Sequence, residues 1–172
     1  MRELVPNAVR IGLLINPNHE NAEAVRRDVT AAGSDIGATI DPVYAGDNTS
    51  LESAFVTLAR NGAHALVLAT DPFFFSPRSQ LATLAAKHAI PAIYNTREFA
   101  EAGGLMSYGT SLSEMYQQLG AYTGRILKGE KPSDLPVVQS IKFELVINLK
   151  TAKTLGLDVP PTLLARADEV IE

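Results

Sequence analysis

The sequence contains no cysteine. This absence excludes disulfide bonds, thiolate catalysis and cysteine-ligated metals, while it leaves the cellular compartment open. The formal net charge is −4 and the lysines and arginines form no cluster, so the sequence does not predict a nucleic-acid-binding surface. No apolar run approaches the ~20 residues that a membrane-spanning helix needs.

Residue patterns that carry catalysis or bind metals are also missing. His19, His64 and His88 are scattered without the spacing of metal ligands. No G-x-S-x-G elbow is present, and no G-x-G-x-x-G or Walker loop follows the first predicted strand. Asp71 follows a strand as in phospho-accepting receiver domains, but residues 16–18 (Asn-Pro-Asn) stand where such domains need an acidic pair. We therefore predict no catalytic residue, no metal site and no cofactor.

What the sequence does contain is an alternation of strands and helices. Short apolar runs at residues 8–15, 38–45, 64–70 and 91–94 predict strands, and helical patterns lie between them. Pro42 interrupts the second run, which favours an edge position or a bulge. The order βαβαβαβ with short connections predicts an α/β fold, with a Rossmann-like parallel sheet and helices on both of its faces.

Capping signals predict where the helices begin and end. Gly33 stands where a first helix over residues 19–32 should stop. Thr49 opens a T-S-L-E capping box for the second helix. Ser76 is a suitable N-cap for a third helix, with Pro77 at its first position.

The last third of the chain has a different pattern. Ser111 opens a second capping box, for a helix that should stop at Gly129. Residues 137–150 predict a long extended segment, and two short helices should follow it. The apolar residues on one face of the predicted long helix are Leu112, Met115, Leu119, Tyr122 and Ile126.

The strand ends predict the position of a ligand site. In open α/β sheets, ligands bind beyond the carboxyl ends of the strands, where a few polar groups orient the ligand and apolar side chains cover it. Phe73, Phe74 and Phe75 follow the third strand, and packing over the end of the sheet is the alternative for each of them. This rule selects as ligand-binding candidates Asn16, Asn18, Asp71, Phe73, Tyr94 and Asn95.

Three segments carry a family resemblance. They are "VPNAVRIGLLINPNHENAE", the run from "DPFFFSPRSQ" to "SDLPVVQ", and "KFELVINLKTAKTLGLDVPPTLLARADEVIE". Together they resemble the ABC-transporter substrate-binding proteins of the TrpX-like family over essentially the whole chain. The resemblance implies a type I periplasmic binding protein without enzymatic activity. Two Rossmann-like lobes would capture a small solute, such as an aromatic or apolar amino acid, and deliver it to ABC permease subunits in the membrane.

The same resemblance implies a division of the chain. Residues 8–102 correspond to lobe II, and residues 103–172 to the hinge, the return into lobe I and the C-terminal crossing. Tyr108 would lie just past the hinge and face the other candidate residues as a further ligand contact. Family members are periplasmic and carry a signal peptide and a complete first lobe ahead of "RELVPN"; we expect both to be missing here. The exposed lobe I segment should then fold over lobe II or pair with a second copy in a homodimer.

Two other functions use related folds. An effector-sensing domain of a transcription regulator would require an attached helix-turn-helix, which the sequence does not predict before Arg10 or after Lys150. A small α/β enzyme would require the catalytic residues that are missing. The genes beside this one would separate importer from regulator.

Overall fold

The structure is a computed structural model that describes residues 3–137 and 143–172. Within these residues, seven strands form one sheet in the order β2-β1-β3-β4-β5-β6-β7. Strands β1 to β5 are parallel, β6 is antiparallel to β5, and β7 is parallel to β6. The strands are β1 (Arg10–Ile15), β2 (Thr39–Tyr44), β3 (Ala65–Leu68), β4 (Ala92–Tyr94), β5 (Met106–Thr110), β6 (Phe143–Asn148) and β7 (Glu169–Ile171). The predicted α/β class and the parallel arrangement are confirmed, and Pro42 lies on the edge strand β2.

Helices lie on both faces of this sheet, as the pattern predicts. Side chains of successive strand residues point to opposite faces. Leu14 therefore packs with α2 and α4, while Leu13 and Ile15 pack with α1. The helices are α1 (Ala22–Asp35), α2 (Asn48–Arg60), α3 (Pro72–Phe75), α4 (Arg78–Lys87), α5 (Arg97–Glu101), α6 (Leu112–Leu127), α7 (Leu149–Thr154) and α8 (Pro161–Leu164), with a 3-10 turn at Pro132–Asp134.

The first helix continues beyond its predicted end. Gly33 lies inside α1 and is buried, because Ile40 fills the space beside it; a Cβ at Gly33 would be 2.4 Å from Ile40 Cγ1. The turn comes instead at Gly37, whose φ of 68° is a left-handed conformation that glycine adopts without strain. Gly33 therefore allows α1 to pack closely against β2.

Helix α2 begins at Asn48, which is earlier than the capping box at Thr49 predicts. Asp47, not Thr49, is the N-cap residue, and its side chain accepts a hydrogen bond from the Ser50 N–H at 2.8 Å. The Ser50 hydroxyl in turn bonds with the backbone of Asp47, which completes the capping box. The helix ends with Asn61 as its C-cap, and Gly62 follows with φ 69°.

The three phenylalanines form a helical turn of their own. Asp71 caps α3 by accepting the Phe73 N–H at 2.7 Å, and Pro72 occupies the first helical position, where its missing N–H costs nothing. The next helix begins at Arg78 with Pro77 before it, so the prediction of Ser76 as its cap is wrong. Phe74 is buried, Phe73 is half-buried and Phe75 is exposed.

Strands β5 to β7 belong to the same sheet and share a third apolar cluster. Met106 and Leu105 are buried against Leu145 and Ile147, and α7 and α8 cover them. The sheet therefore continues across residues 102 and 103, where the resemblance divides the chain. That division remains a prediction.

Helix α6 has a different environment from the other long helices. It begins as predicted, because the Ser111 hydroxyl accepts the Glu114 N–H, and Gly129 follows it with φ 98°. None of its residues is buried in the described part of the chain. The predicted extended segment is confirmed over β6, while residues 138–142 of it lie outside the described residues. No described helix is long and apolar enough to cross a membrane.

Candidate functional site

The carboxyl ends of the parallel strands meet along one side of the sheet, which we call the carboxyl edge. Asn16 follows β1, Ala45 and Gly46 follow β2, Thr70 and Asp71 follow β3, and Asn95 follows β4. Parallel pairing brings these positions together, because all four strands run in the same direction. This edge contains most of the predicted ligand-binding residues.

Two of the predicted residues are in direct contact. The Asn16 amide donates a hydrogen bond from Nδ2 to Asp71 Oδ1 at 3.1 Å, although the two residues are 55 positions apart in the chain. Asn16 is 9% exposed, and its own Oδ1 accepts the Asn18 N–H at 3.0 Å. The Asn16 side chain therefore has a fixed orientation, which in turn fixes the Asp71 carboxylate.

Asn18 lies over the glycine that follows the neighbouring strand. A Cβ at Gly46 would be 2.5 Å from Asn18 Nδ2 and 3.3 Å from Asn16 Oδ1. Only a residue without a side chain leaves room for the two amides at this position. Because no spacing rule marks such a contact, the sequence predicted this loop only as a strand end.

The side chains of Asn16, Asp71, Thr70 and Asn95 line the carboxyl edge, and we call them the polar row. Asn95 lies at the end of this row, beyond Asp71. Its Nδ2 donates to the Thr70 hydroxyl at 3.3 Å. Strand β5 packs against its backbone, since a Cβ at Gly109 would be only 1.8 Å from the Asn95 carbonyl oxygen. Gly109 thus permits the close approach of β5 to the carboxyl edge.

Tyr94 is placed elsewhere. It is 2% exposed, and its ring stacks on Phe99 with 4.8 Å between centroids. Its hydroxyl is buried without a hydrogen-bond partner among the described residues, and burial raises the pKa of this phenol. The structure therefore brings Tyr94 into the core beneath α5 and does not bring it to the polar row.

Phe73 and Tyr108 are the remaining predicted ligand-binding residues, and both are aromatic. Phe73 is half-buried and packs against the apolar cluster that contains Leu14 and residues of α2 and α4. The centroids of the Phe73 and Phe74 rings are 5.2 Å apart. Tyr108 is 56% exposed and stacks on Phe143 with 5.6 Å between centroids. The Tyr108–Phe143 pair lies on the adjacent strands β5 and β6, on the same face of the sheet as Met106 and Leu145.

An ion-pair network that the sequence did not predict is centred on Arg97. Arg97 contacts Glu101 at 2.9 Å, Glu144 at 3.6 Å and also Glu169. The side-chain hydrogen bonds with Glu101 and Glu169 raise the pKa of Arg97 further. The network joins α5 to β6 and β7, so it helps to hold β6 in the sheet. Local spacing marks only the Arg97–Glu101 pair, because Glu144 and Glu169 lie 47 and 72 positions from Arg97.

The histidines have structural contacts. His19 Nδ1 accepts the Asn21 N–H at 3.0 Å, His64 Nδ1 accepts the Arg10 N–H at 3.2 Å, and His88 stacks on Phe55. In residues 3–137 and 143–172, no group of three or more histidine, aspartate or glutamate side chains could hold a metal ion. The carboxyl edge offers hydrogen-bond donors and acceptors and, in the Asn16–Asp71 pair, a carboxylate, which suit the binding of a small polar molecule.

Sequence comparison places the chain in a family. The family model described as "ABC transporter substrate binding protein" matches residues 1–171. The chain therefore belongs to the ABC transporter substrate-binding proteins, which are non-enzymatic transport components that typically act outside the cytoplasmic membrane. No curated protein matches the chain.

Solved structures agree with the fold. The ABC domain from Streptococcus pneumoniae in complex with L-Trp is 24% identical, with a TM-score of 0.86, over 99% of this chain and 57% of that one. A conserved domain protein from Vibrio cholerae O1 biovar El Tor is also 24% identical, with a TM-score of 0.84, over 98% of this chain and 57% of that one. A LacI family transcriptional regulator from Bifidobacterium animalis is 13% identical, with a TM-score of 0.61, over 84% of this chain and 56% of that one. These likenesses confirm the periplasmic-binding-protein fold.

This chain spans little more than half the length of its solved relatives, since it covers 57% of each of the first two. The family and fold predicted from the resemblance are confirmed. Neither the family match nor these structures support the predicted homodimer.

Proposed function

We propose that the chain is part of a solute-binding component of an ABC importer, and that the carboxyl edge is its contribution to the solute site. The observation that carries this proposal is the fixed polar row formed by Asn16, Asp71, Thr70 and Asn95. The row spans three strands and is held by contacts between side chains distant in sequence. Such preorganised polar groups at strand ends bind small ligands at low entropic cost.

The proposed mechanism follows from the fold. Residues 8–102 act as lobe II, and residues 103–172 lead through the hinge to lobe I and back. A solute binds the polar row, the lobes close over it, and the closed protein delivers it to permease subunits in the membrane, from the periplasmic side. The contacts of strands β5 and β6 support this proposal. Gly109 lets β5 pack against Asn95, and Arg97 forms an ion pair with Glu144 of β6.

For the solute we propose an aromatic or apolar amino acid. The exposed ring stack of Tyr108 and Phe143 and the half-buried ring of Phe73 offer apolar contact area close to polar groups. A protein of the same fold from S. pneumoniae was solved with L-Trp. In this proposal the ligand contacts are Asn16, Asn18, Asp71, Phe73, Asn95 and Tyr108, while Tyr94 supports the loop from the core.

The rival function, effector sensing in a transcription regulator, is not favoured. The regulator from B. animalis shares the fold at 13% identity, whereas the transporter family matches the chain from end to end. No observation of the structure supports the regulator in particular.

A thermal-shift screen tests the proposal. We expect aromatic or apolar amino acids to raise the melting temperature of the chain, because a ligand that binds only the native state stabilises it by mass action, by ~2.7 kcal/mol at 100 times its Kd. Asn16→Ala should abolish the shift by releasing Asp71 and Asn18.

The matched control is Asn61→Ala at the opposite side of the sheet, where Asn61 donates to Asp41 at 2.8 Å. This variant loses one side-chain hydrogen bond, whereas Asn16→Ala loses two, and it should keep the ligand-induced shift. A chain that no amino acid or other small solute stabilises would contradict the proposal.

A further inference from the structure

We propose that Asp71 is the group that binds a protonated primary amine of the solute. This inference rests on the proposed function, because it assigns to one residue of the same site the amine of the proposed solute. It begins from the contacts of the carboxylate. Oδ1 accepts the Asn16 amide at 3.1 Å and the Phe73 N–H at 2.7 Å.

These donors are both neutral. Asp71 forms no ion pair within the described ranges 3–137 and 143–172, and Oδ2 accepts no hydrogen bond from the residues of those ranges. Its negative charge is therefore held in place on one side and left without a counter-charge on the other. A cationic ligand group would supply that charge and a charge-assisted hydrogen bond.

The positive side chains near the carboxyl edge are already engaged. Arg97 contacts three carboxylates, those of Glu101, Glu144 and Glu169. Arg78 donates to the Phe75 carbonyl at 3.0 Å, and its guanidinium lies 4.9 Å from the centroid of the Phe75 ring. Among the described residues neither of these arginines pairs with Asp71, and a carboxylate without an ion-pair partner favours a positive ligand group over an anionic one.

The space beside Asp71 fits a group of that size. A cavity of about 10 Å³ is lined by Asn16, His19, Thr70 and Asp71, with Ala22 and Val25 on its apolar side. This is room for about one water-sized group. A primary ammonium has that size, while a sugar ring or an indole does not. His19, which also lines this cavity, accepts the Asn21 N–H on Nδ1.

The experiment is an NMR titration of the 172-residue chain with three indole compounds: L-tryptophan, tryptamine and indole-3-propionate. Tryptamine carries the amine without the carboxylate, and indole-3-propionate carries the carboxylate without the amine. The Phe73 backbone amide and the Asn16 side-chain amide report binding at Asp71. We expect both amines to bind at least tenfold more tightly than indole-3-propionate.

Asp71→Asn should weaken the binding of both amines at least tenfold and leave that of indole-3-propionate within twofold. Asparagine keeps an oxygen that can accept the Phe73 N–H, and an unchanged melting temperature would verify the fold. The matched control is Asp47→Asn, which removes the same charge from another N-cap residue at the same edge. It should leave all three affinities within twofold.

Equal binding of the three indoles, or an equal loss of affinity for all three in Asp71→Asn, would overturn the assignment of Asp71 and leave the proposed function standing. NMR shifts at the carboxyl edge with D-glucose but not with the amines would also overturn the assignment of Asp71 and leave the proposed function standing. If L-leucine, D-glucose and the indoles all left the edge unshifted, this inference would fail and the proposed function would be contradicted as well.

Discussion

Helices α2 and α6 have similar amphipathic sequences and opposite environments. Leu51, Ala54, Phe55 and Leu58 of α2 are buried under the sheet. The apolar face of α6 buries none of its residues within the described part of the chain, and Leu119 is 53% exposed. The same 3.6-residue pattern therefore occurs once with its packing partner and once without it.

The difference teaches what such a pattern specifies. An apolar stripe predicts a helix and the face it would bury, but the surface that covers this face lies elsewhere in sequence. A buried side chain of this size contributes ~1.5–3 kcal/mol, which the residues of α6 do not gain here. We expect the stability of the chain to reside in the sheet and the helices packed on it, with little contribution from α6.

The largest expected effect comes from a matched pair of leucines. Leu58 in α2 is fully buried, and its Cδ2 fills the space over Gly12. Leu58→Ala should lower the free energy of unfolding by ~2–5 kcal/mol, the usual cost of a buried Leu→Ala cavity. Leu119→Ala in α6 should stay within ~0.5 kcal/mol, as at exposed positions generally. Urea unfolding measures both, and a comparable loss in Leu119→Ala would show that α6 is packed in solution.

Glycine substitutions in β5 and α6 test the same difference in packing at the backbone. Gly109→Ala should destabilise the chain by ~1–3 kcal/mol, because its Cβ would lie 1.8 Å from the Asn95 carbonyl oxygen and force β5 away. Gly120→Ala in α6 meets no atom within 4 Å and should stabilise the helix by ~0.5–1 kcal/mol. Thermal unfolding compares them. A tolerated Gly109→Ala would mean that β5 does not pack on the carboxyl edge as described.

The smallest effects concern two tyrosines. Tyr94→Phe removes a buried hydroxyl that has no partner among the described residues, so we expect a gain of ~1 kcal/mol. Tyr116→Phe, at an exposed position of α6, should change little. Chemical denaturation measures both, and a clear loss in Tyr94→Phe would reveal a hydrogen bond absent from this structure.

The pH dependence of Tyr94 provides a second measurement. Burial raises its pKa above the ordinary value of 10.0, so above pH 10 the phenol ionises in the unfolded chain first. Stability from this group is therefore complete below pH 10 and falls by ~1.4 kcal/mol per pH unit above it. Tyr94→Phe should remove that loss. Identical alkaline profiles for the two proteins would contradict the burial of the hydroxyl.

Much of this fold was predictable, because local patterns carry it. Alternating strands and helices predicted the parallel sheet, and Pro42 indicated the edge strand. The antiparallel β6 was not predicted, since no local signal sets the direction in which a strand joins a sheet. Gly33 was assigned to a helix end because sequence alone does not show that Ile40 lies against it.

The candidate site was predictable to the level of strand ends. The rule for parallel sheets selected Asn16, Asp71 and Asn95, and the structure places all three in one polar row. It also selected Tyr94, whose ring turns into the core, because strand-end position does not determine the face on which a side chain lies. The Arg97 network was missed because two of its three partners, Glu144 and Glu169, come from distant strands.

Hydrogen exchange with and without a saturating solute tests the central claim most directly, with L-tryptophan as the first probe. If the carboxyl edge is the solute site, protection should increase at residues 16–19, 70–73 and 95–97 and stay unchanged at the opposite strand ends, residues 36–38, 61–64 and 88–91. Protection that rises only at the opposite ends, or a bound solute that leaves the carboxyl edge unchanged, would contradict the account.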